Sequence, residues 1–205
     1  MLNYVELVYK FMRSESKVNQ SYAAACLDKL LLKKSKTTGQ MIITRESMND
    51  AVVQELLGAI CDVLNEDQNW YVLRAFYRVI ATTQDKITAV AQPICNVLGS
   101  FIDKLSEEDD VNQQYANTLF EATALCLRFF RLEPLAIKLM SDTLTPVLNK
   151  IIQNNKLDVI GYAFQIYALF VAHTAENNPV FQTLTQSIVT TPGNWAHDMR
   201  YLMPS

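Results

Sequence analysis

The chain has 205 residues, of which 50% are hydrophobic and 19% are charged, and its formal net charge is −3. This apolar content can fill a sizeable core, whereas five glycines and six prolines are too few for the many tight turns of a β-sandwich or barrel. The acidic balance gives no broad positive field for a phosphate backbone, which disfavours direct binding to nucleic acid.

Helical periodicity recurs along the whole chain, and the amphipathic stretches come in pairs joined by polar connections. The pattern predicts helices at about 2–13, 18–35, 44–65, 68–82, 85–105, 111–131, 134–153, 156–174 and 179–190. Thr44 is the predicted N-cap of the third helix, and Pro179 takes the first position of the ninth, where proline is favoured.

Prolines and glycines occur inside several predicted helices. Pro93 and Pro146 remove an amide donor and crowd the preceding turn, so we expect a kink or an interruption at each. Gly58, Gly99 and Gly161 weaken their helices relative to alanine. Close packing between helices is the expected reason for these three glycines.

An internal repeat appears when the second helix of each pair is aligned on a tyrosine near its start. The aligned residues are Tyr22, Tyr71, Tyr115 and Tyr162, at intervals of 49, 44 and 47 residues. Positions 0, +1, +4, +5, +8 and +9 from each tyrosine are apolar, with Thr123 as the exception. This spacing predicts one buried stripe along each of these helices.

A repeat in the mid-forties with two helices per unit is typical of HEAT proteins, in which each hairpin buries its apolar face against its neighbours. The sequence therefore predicts an all-α HEAT-repeat superhelical solenoid of about four to five hairpins. The expected units are approximately 1–35, 44–82, 85–131, 134–174 and a partial 179–205. A single helical bundle is the alternative fold.

No catalytic or metal-binding motif is found, and the two histidines, His173 and His197, cannot form a metal site alone. The four cysteines lie in apolar runs without a C-x-x-C pair, so we expect reduced core thiols in an intracellular protein: Cys26, Cys61, Cys95 and Cys126. We predict no enzyme activity, cofactor or metal. The alternative is a helical enzyme whose site needs residues from outside this chain.

The longest apolar run, 160–172, is shorter than the roughly 20 residues of a membrane span. The first residues lack the charged and apolar regions of a secretory signal. We therefore expect no membrane insertion and a location in the nucleus or the cytoplasm.

A candidate partner-binding surface lies on the second helices, at positions +3, +6 and +7 from each tyrosine. In stacked hairpins these positions form a ladder along one side of the solenoid. Mixed charge with an aromatic residue is typical of a docking strip, and an ordinary solvated face gives the same pattern. The candidate contacts are Asp28, Lys29, Arg74, Tyr77, Arg78, Thr118, Glu121 and Gln165. The fourth of these helices is apolar on nearly all sides, which predicts a central or covered position.

Several segments, read in order, resemble one known family. They are RSESKVN (13–19), QSYAAACLDKLL (20–31), FEATALCLRF (120–129), IGYAFQIYALF (160–170) and TPGNWA (191–196). These segments are similar to those of the importin-α re-exporters, karyopherins that are also called cellular apoptosis susceptibility proteins. The similarity runs through nearly the whole chain.

The resemblance implies a HEAT-repeat nuclear export receptor of the importin-β superfamily. Such a receptor binds importin-α together with Ran-GTP, passes through nuclear pores and returns importin-α to the cytoplasm, while GTP hydrolysis belongs to Ran. Members are several times longer, so a fragment is expected. The alternative is another HEAT scaffold, such as a phosphatase scaffold subunit or an import karyopherin. Ran-GTP would distinguish them, because it strengthens cargo binding by exporters and weakens it for importers.

Overall fold

The computed structural model describes residues 2–173, which form eight α-helices and one 3₁₀ helix. The α-helices are α1 (Leu2–Met12), α2 (Lys17–Leu31), α3 (Asp50–Glu66), α4 (Trp70–Thr83), α5 (Ala91–Glu107), α6 (Gln113–Phe130), α7 (Pro134–Gln153) and α8 (Leu157–His173). The 3₁₀ helix, Gln84–Val90, joins α4 to α5. Within the described range, β pairing is limited to an isolated bridge between Lys34 and Met41. Several predictions fall outside the described residues: the ninth helix, the partial unit 179–205, Pro179 and His197.

The helices form two layers. In the odd-numbered layer α1 contacts α3, α3 contacts α5, and α5 contacts α7. In the even-numbered layer α2 contacts α4, α4 contacts α6, and α6 contacts α8. Each odd-numbered helix also contacts the even-numbered helix that follows it. Because each hairpin lies against the next one in chain order, the helices stack into a solenoid, as the repeat predicts.

A continuous apolar core lies between the two layers. Positions +1 and +5 of the repeat are buried in all four even-numbered helices: Ala23, Leu27, Val72, Phe76, Ala116, Phe120, Ala163 and Tyr167. Thr123, the polar exception in the stripe, is also buried, and its hydroxyl donates a hydrogen bond to the Leu119 carbonyl at 2.8 Å. The hydroxyl is therefore satisfied by the helix itself and does not disturb the core.

The aligned tyrosines mark the junctions between hairpins, which corrects their assignment to the buried stripe. Tyr22 is 70% exposed. Tyr115 packs against Trp70 of the preceding even-numbered helix, with 6.3 Å between ring centroids. Tyr162 stacks on Phe120 in the same way, at 5.0 Å. At Tyr115 and Tyr162, position 0 therefore contacts the preceding hairpin.

Two further residues of the predicted stripe are exposed on the first two hairpins. Tyr71 is about half exposed, and Cys26 at position +4 of α2 is exposed, whereas its equivalent Ala75 in α4 is buried. The difference between Cys26 and Ala75 follows from position in the stack, since among residues 2–173 α4 has even-numbered neighbours on both sides and α2 has one. The prediction that Cys26 is a core thiol is therefore wrong.

The predicted start of the third helix is also wrong. Thr44 does not cap a helix, because it forms a local turn in which its carbonyl accepts from the Ser47 hydroxyl at 2.8 Å. The helix begins six residues later, where the Asn49 side chain accepts from the Val52 amide at 2.8 Å. Thr and Asn are both good N-cap residues. The residues that were expected to form the first turns of this helix belong instead to a hydrogen-bonded connection over 32–49.

The two prolines have different surroundings. Pro93 is the third residue of α5, just after the 3₁₀ helix, so the expected interruption is confirmed there. Its missing amide costs little, because the first turn of a helix has no internal acceptors. The helix α7 continues through Pro146. Beside it, the Tyr167 hydroxyl lies 2.6 Å from Asn149 Oδ1 and 3.2 Å from the Thr145 carbonyl oxygen.

Two of the glycines inside helices, Gly58 and Gly99, differ in how closely neighbouring atoms approach them. A Cβ added to Gly99 in α5 would lie 2.6 Å from Thr143 Cγ2 in α7, so close packing explains this glycine. A Cβ added to Gly58 in α3 would meet no atom within 4 Å, so close packing does not explain that one.

We therefore expect the same substitution to have opposite effects at the two positions. Gly99→Ala should lower the free energy of unfolding by about 1 to 2 kcal/mol, because overpacking outweighs the better helix propensity of alanine. Gly58→Ala should raise it by about 1 kcal/mol. Urea denaturation of each variant measures these changes. Thr143→Ala should restore stability to the Gly99→Ala variant, and a failure to do so would locate the strain elsewhere.

Candidate functional site

The even-numbered helices carry the predicted ladder along one side of the solenoid. Because α2, α4, α6 and α8 lie next to one another, equivalent positions of the repeat succeed each other along this side. The ladder residues nevertheless differ in their surroundings. One of them is buried, two line a groove, and the others lie on the surrounding surface.

Asp28 is the buried ladder residue, with 4% of its surface exposed. Arg74 Nη2 donates to Asp28 Oδ2 at 2.8 Å, and Arg78 Nε donates to Asp28 Oδ1 at 3.3 Å. These ion pairs join α2 to α4, across the junction of the first two hairpins. The Asp28 carboxylate is thus paired within the fold, and its contact with a partner stays a prediction.

The two arginines keep part of their side chains exposed, at 38% for Arg74 and 27% for Arg78. The Arg74 guanidinium lies 5.9 Å from the Trp70 ring centroid, and the Arg78 guanidinium lies 5.5 Å from that of Tyr77. Cation–π contacts of this kind hold an arginine over an aromatic ring. With one carboxylate between two guanidinium groups, the cluster has a local excess of positive charge.

A groove lies between α4, α6 and α8 on this side. Its volume is about 430 Å³, within the range of ligand-binding pockets. The ladder residues Tyr77 and Glu121 line it, and Leu169, at position +7 of the α8 repeat, contributes to its apolar part. The other lining residues are Ala124, Leu125, Arg128, Arg131 and His173.

Four groove residues on and after α6 were not among the ladder residues: Ala124 is position +9 of the predicted buried stripe, and Leu125, Arg128 and Arg131 lie beyond position +7, where the ladder ended. Ala124, Leu125 and Arg128 lie three, four and seven residues after Glu121, the spacing of one helical face. Extending the helical period from Glu121 would have found these three. Arg131 follows the end of α6, where the helical period no longer applies, so only the tertiary structure places it at the groove.

The remaining ladder residues lie outside the groove lining. Lys29 and Gln165 are exposed, and Thr118 is half-buried. The Thr118 hydroxyl donates to the Gln114 carbonyl at 3.1 Å, within its own helix. Lys29 and Gln165 are therefore accessible to a partner, and Thr118 is accessible in part.

The described residues contain no group of three or more His, Cys, Asp or Glu side chains that could hold a metal ion. Cys61, Cys95 and Cys126 are buried and free. Burial raises the pKa of Cys61 and Cys95 to about 12 and places that of Cys126 well above its ordinary value. These thiols are protonated and enclosed at neutral pH, so they are unsuited to nucleophilic chemistry.

Over residues 2–173, no helix combines the length and the apolar character that crossing a membrane requires. The even-numbered side combines an apolar groove floor, an aromatic side chain and charged groups at the rim.

Comparison with known families identifies the chain. A family model described as CAS/CSE protein, C-terminus, matches residues 28–199. The chain belongs to the CAS/CSE family. The resemblance of the sequence segments to importin-α re-exporters is thereby confirmed. A solved structure, that of the exportin Cse1 in its cargo-free, cytoplasmic state, has a similar fold, with a TM-score of 0.72 over 92% of this chain at 18% identity. This similarity confirms the HEAT-repeat solenoid.

Relatives of this CAS/CSE chain include two named transport receptors. Exportin-2 of Xenopus laevis is 26% identical over 187 residues, which cover 88% of this chain and 19% of the relative. The importin alpha re-exporter of Saccharomyces cerevisiae is 22% identical over 206 residues, which cover 95% of this chain and 21% of the relative. The chain thus spans about a fifth of the length of these relatives.

Proposed function

We propose that this CAS/CSE chain forms a segment of a nuclear export receptor that binds importin-α together with Ran-GTP and returns importin-α to the cytoplasm. The observation that carries the proposal is the family match over residues 28–199. The names of the relatives, exportin-2 and importin alpha re-exporter, support it. The activity is binding, and the GTP hydrolysis that drives the cycle belongs to Ran.

The architecture is consistent with a binding role. A solenoid presents a long side surface made of successive helices, which suits contact with large protein partners. In this segment that surface includes the Asp28 cluster (Asp28, Arg74 and Arg78) and the groove between α4, α6 and α8. A receptor of this kind moves between nucleus and cytoplasm through nuclear pores, which is the location we propose.

The test is a titration of importin-α against this chain and against a longer receptor that contains it. Each titration is run with Ran loaded with a non-hydrolysable GTP analogue, with Ran-GDP and without Ran. We expect Ran-GTP to tighten importin-α binding to the longer receptor by about tenfold or more, which corresponds to a coupling free energy of about 1.4 kcal/mol. The isolated chain should bind more weakly, because it supplies about a fifth of the receptor.

The outcomes separate the proposal from its alternatives. If Ran-GTP weakens cargo binding, the protein is an import karyopherin, because the coupling then has the opposite sign. If neither nucleotide form of Ran changes importin-α binding, the chain belongs to a HEAT scaffold of another kind. Ran-GDP serves as the matched control for non-specific contact with Ran.

A further inference from the structure

The groove between α4, α6 and α8 has an apolar floor that is partly open to solvent. Ala124, Leu125 and Leu169 are half-buried there. The short side chain of Ala124 leaves space between its larger neighbours, and the groove volume is about 430 Å³. A floor of this size and polarity fits one or two large apolar side chains of a ligand.

The rim of the groove carries unpaired positive charge. Arg128 and Arg131 are exposed, and neither forms an ion pair with a carboxylate among residues 2–173. Glu121 is the one carboxylate among the described residues that line the groove, and its Oε1 accepts from Asn117 Nδ2 at 3.2 Å. The groove is therefore locally positive in a chain whose formal net charge is −3.

The neighbouring part of the same side has the same sign. Arg74 and Arg78 share the single carboxylate of Asp28, which leaves one positive charge in excess beside Tyr77. Local excess charge of one sign attracts partner segments of the opposite sign and orients them as they approach. A nucleic acid is also anionic, but the apolar floor and the small number of cations favour a protein ligand.

We infer that this groove binds an acidic segment of a protein partner that also carries a large apolar side chain. Carboxylates of the segment pair with Arg128 and Arg131, because the guanidinium fork matches a carboxylate in geometry and charge. The apolar side chain lies on the floor against Leu125 and Leu169. Glu121 repels a carboxylate at its own position and so sets the direction of the segment.

This inference rests on the proposed receptor function, since a receptor provides the protein partner, but the groove can be tested without importin-α or Ran. The probe is a fluorescent peptide of about twelve residues, built from alternating pairs of Glu and Leu so that it offers both chemistries. One control peptide replaces Glu with Lys, and another replaces Leu with Ala. The protein is the complete chain, and binding is followed by fluorescence anisotropy.

We expect the Glu and Leu peptide to bind about tenfold more tightly than either control peptide. Arg128→Glu with Arg131→Glu should weaken it by about tenfold or more, and Arg128→Gln with Arg131→Gln by less. Lys33→Glu with Lys34→Glu makes the same charge change on the exposed connection after α2, and it should leave affinity within about twofold. An equal loss in that matched control would overturn the inference, as would equal binding of the Lys peptide.

A second measurement identifies what occupies the groove. With p-benzoylphenylalanine in place of Leu125, light should cross-link the full chain to the Glu and Leu peptide. Cross-links that persist to residues 174–205 of the same chain, or to a second copy, under excess peptide would assign the groove to those occupants and overturn the inference. Circular dichroism confirms that each variant is folded.

The two proposals fail in different ways. If the peptide does not bind while importin-α binding still depends on Ran-GTP, the groove inference is wrong and the receptor proposal stands. If the peptide binds as expected while Ran has no effect on importin-α binding, the receptor proposal is wrong and the groove chemistry stands.

Discussion

Replacing both arginines of the Asp28 cluster with alanine, Arg74→Ala with Arg78→Ala, is expected to lower the free energy of unfolding by about 3 kcal/mol. Each oxygen of the buried Asp28 carboxylate accepts a hydrogen bond from one of these guanidinium groups. Without them a negative charge stays enclosed with no counter-charge, which costs more than the loss of an exposed ion pair. Urea denaturation of the variant and the wild type measures the difference.

Removing the other partner should cost less. In Asp28→Asn the two arginines are left unpaired, but their side chains are partly exposed and water can hydrate them, so we expect a loss of about 1 kcal/mol. Asp28→Asn introduced into the double arginine variant should recover most of its stability. If it recovers nothing, the arginines act through packing on Trp70 and Tyr77 rather than through charge.

Tyr167→Ala is expected to lower the free energy of unfolding by about 4 kcal/mol, because truncating a large buried aromatic side chain leaves a cavity. Tyr167 is the largest by volume of the fully buried side chains among residues 2–173. Tyr167→Phe keeps the ring and removes the hydroxyl, which lies 2.6 Å from Asn149 Oδ1. That change should cost about 1 to 2 kcal/mol, because a partly buried acceptor beside Pro146 loses its donor.

The matched control is Tyr162→Phe. The Tyr162 hydroxyl that it removes lies 3.5 Å from Asn117 Oδ1 in an exposed position. We expect a change within about 0.5 kcal/mol there, because water replaces the lost contact. All three variants are compared by urea denaturation. If Tyr167→Phe costs as much as Tyr167→Ala, the hydroxyl contacts outweigh the packing of the ring, contrary to this account.

The junctions between hairpins explain why these effects are large. Each hairpin buries its apolar face only against its neighbours, so a contact that crosses a junction supports both units. The Asp28 cluster joins α2 to α4, the Trp70 and Tyr115 rings join α4 to α6, and the Phe120 and Tyr162 rings join α6 to α8. The aligned tyrosine of the repeat is thus a junction residue in the later hairpins.

The helical pattern of the sequence was sufficient to predict all eight α-helices of residues 2–173 and the stacked solenoid. The reason is physical, since the period of 3.6 residues determines which side chains share one face of a helix. The same period placed Tyr77 and Glu121 on the side where the groove lies. The choice between Thr44 and Asn49 as N-cap was not predictable, because both can cap and the folded connection over 32–49 decides between them.

Exposure was decided by the tertiary structure. Asp28 and Lys29 are adjacent ladder residues, yet Asp28 is buried and Lys29 is exposed, because Asp28 faces α4 and pairs with two of its arginines. Tyr22 and Tyr162 occupy the same repeat position, yet Phe120 stacks on Tyr162 whereas Tyr22 is 70% exposed among residues 2–173. Sequence alone determined which residues lie on each side of each helix. Which of those residues are exposed to solvent and which contact each other was determined only by the packing of neighbouring helices. That packing brings together residues more than forty positions apart.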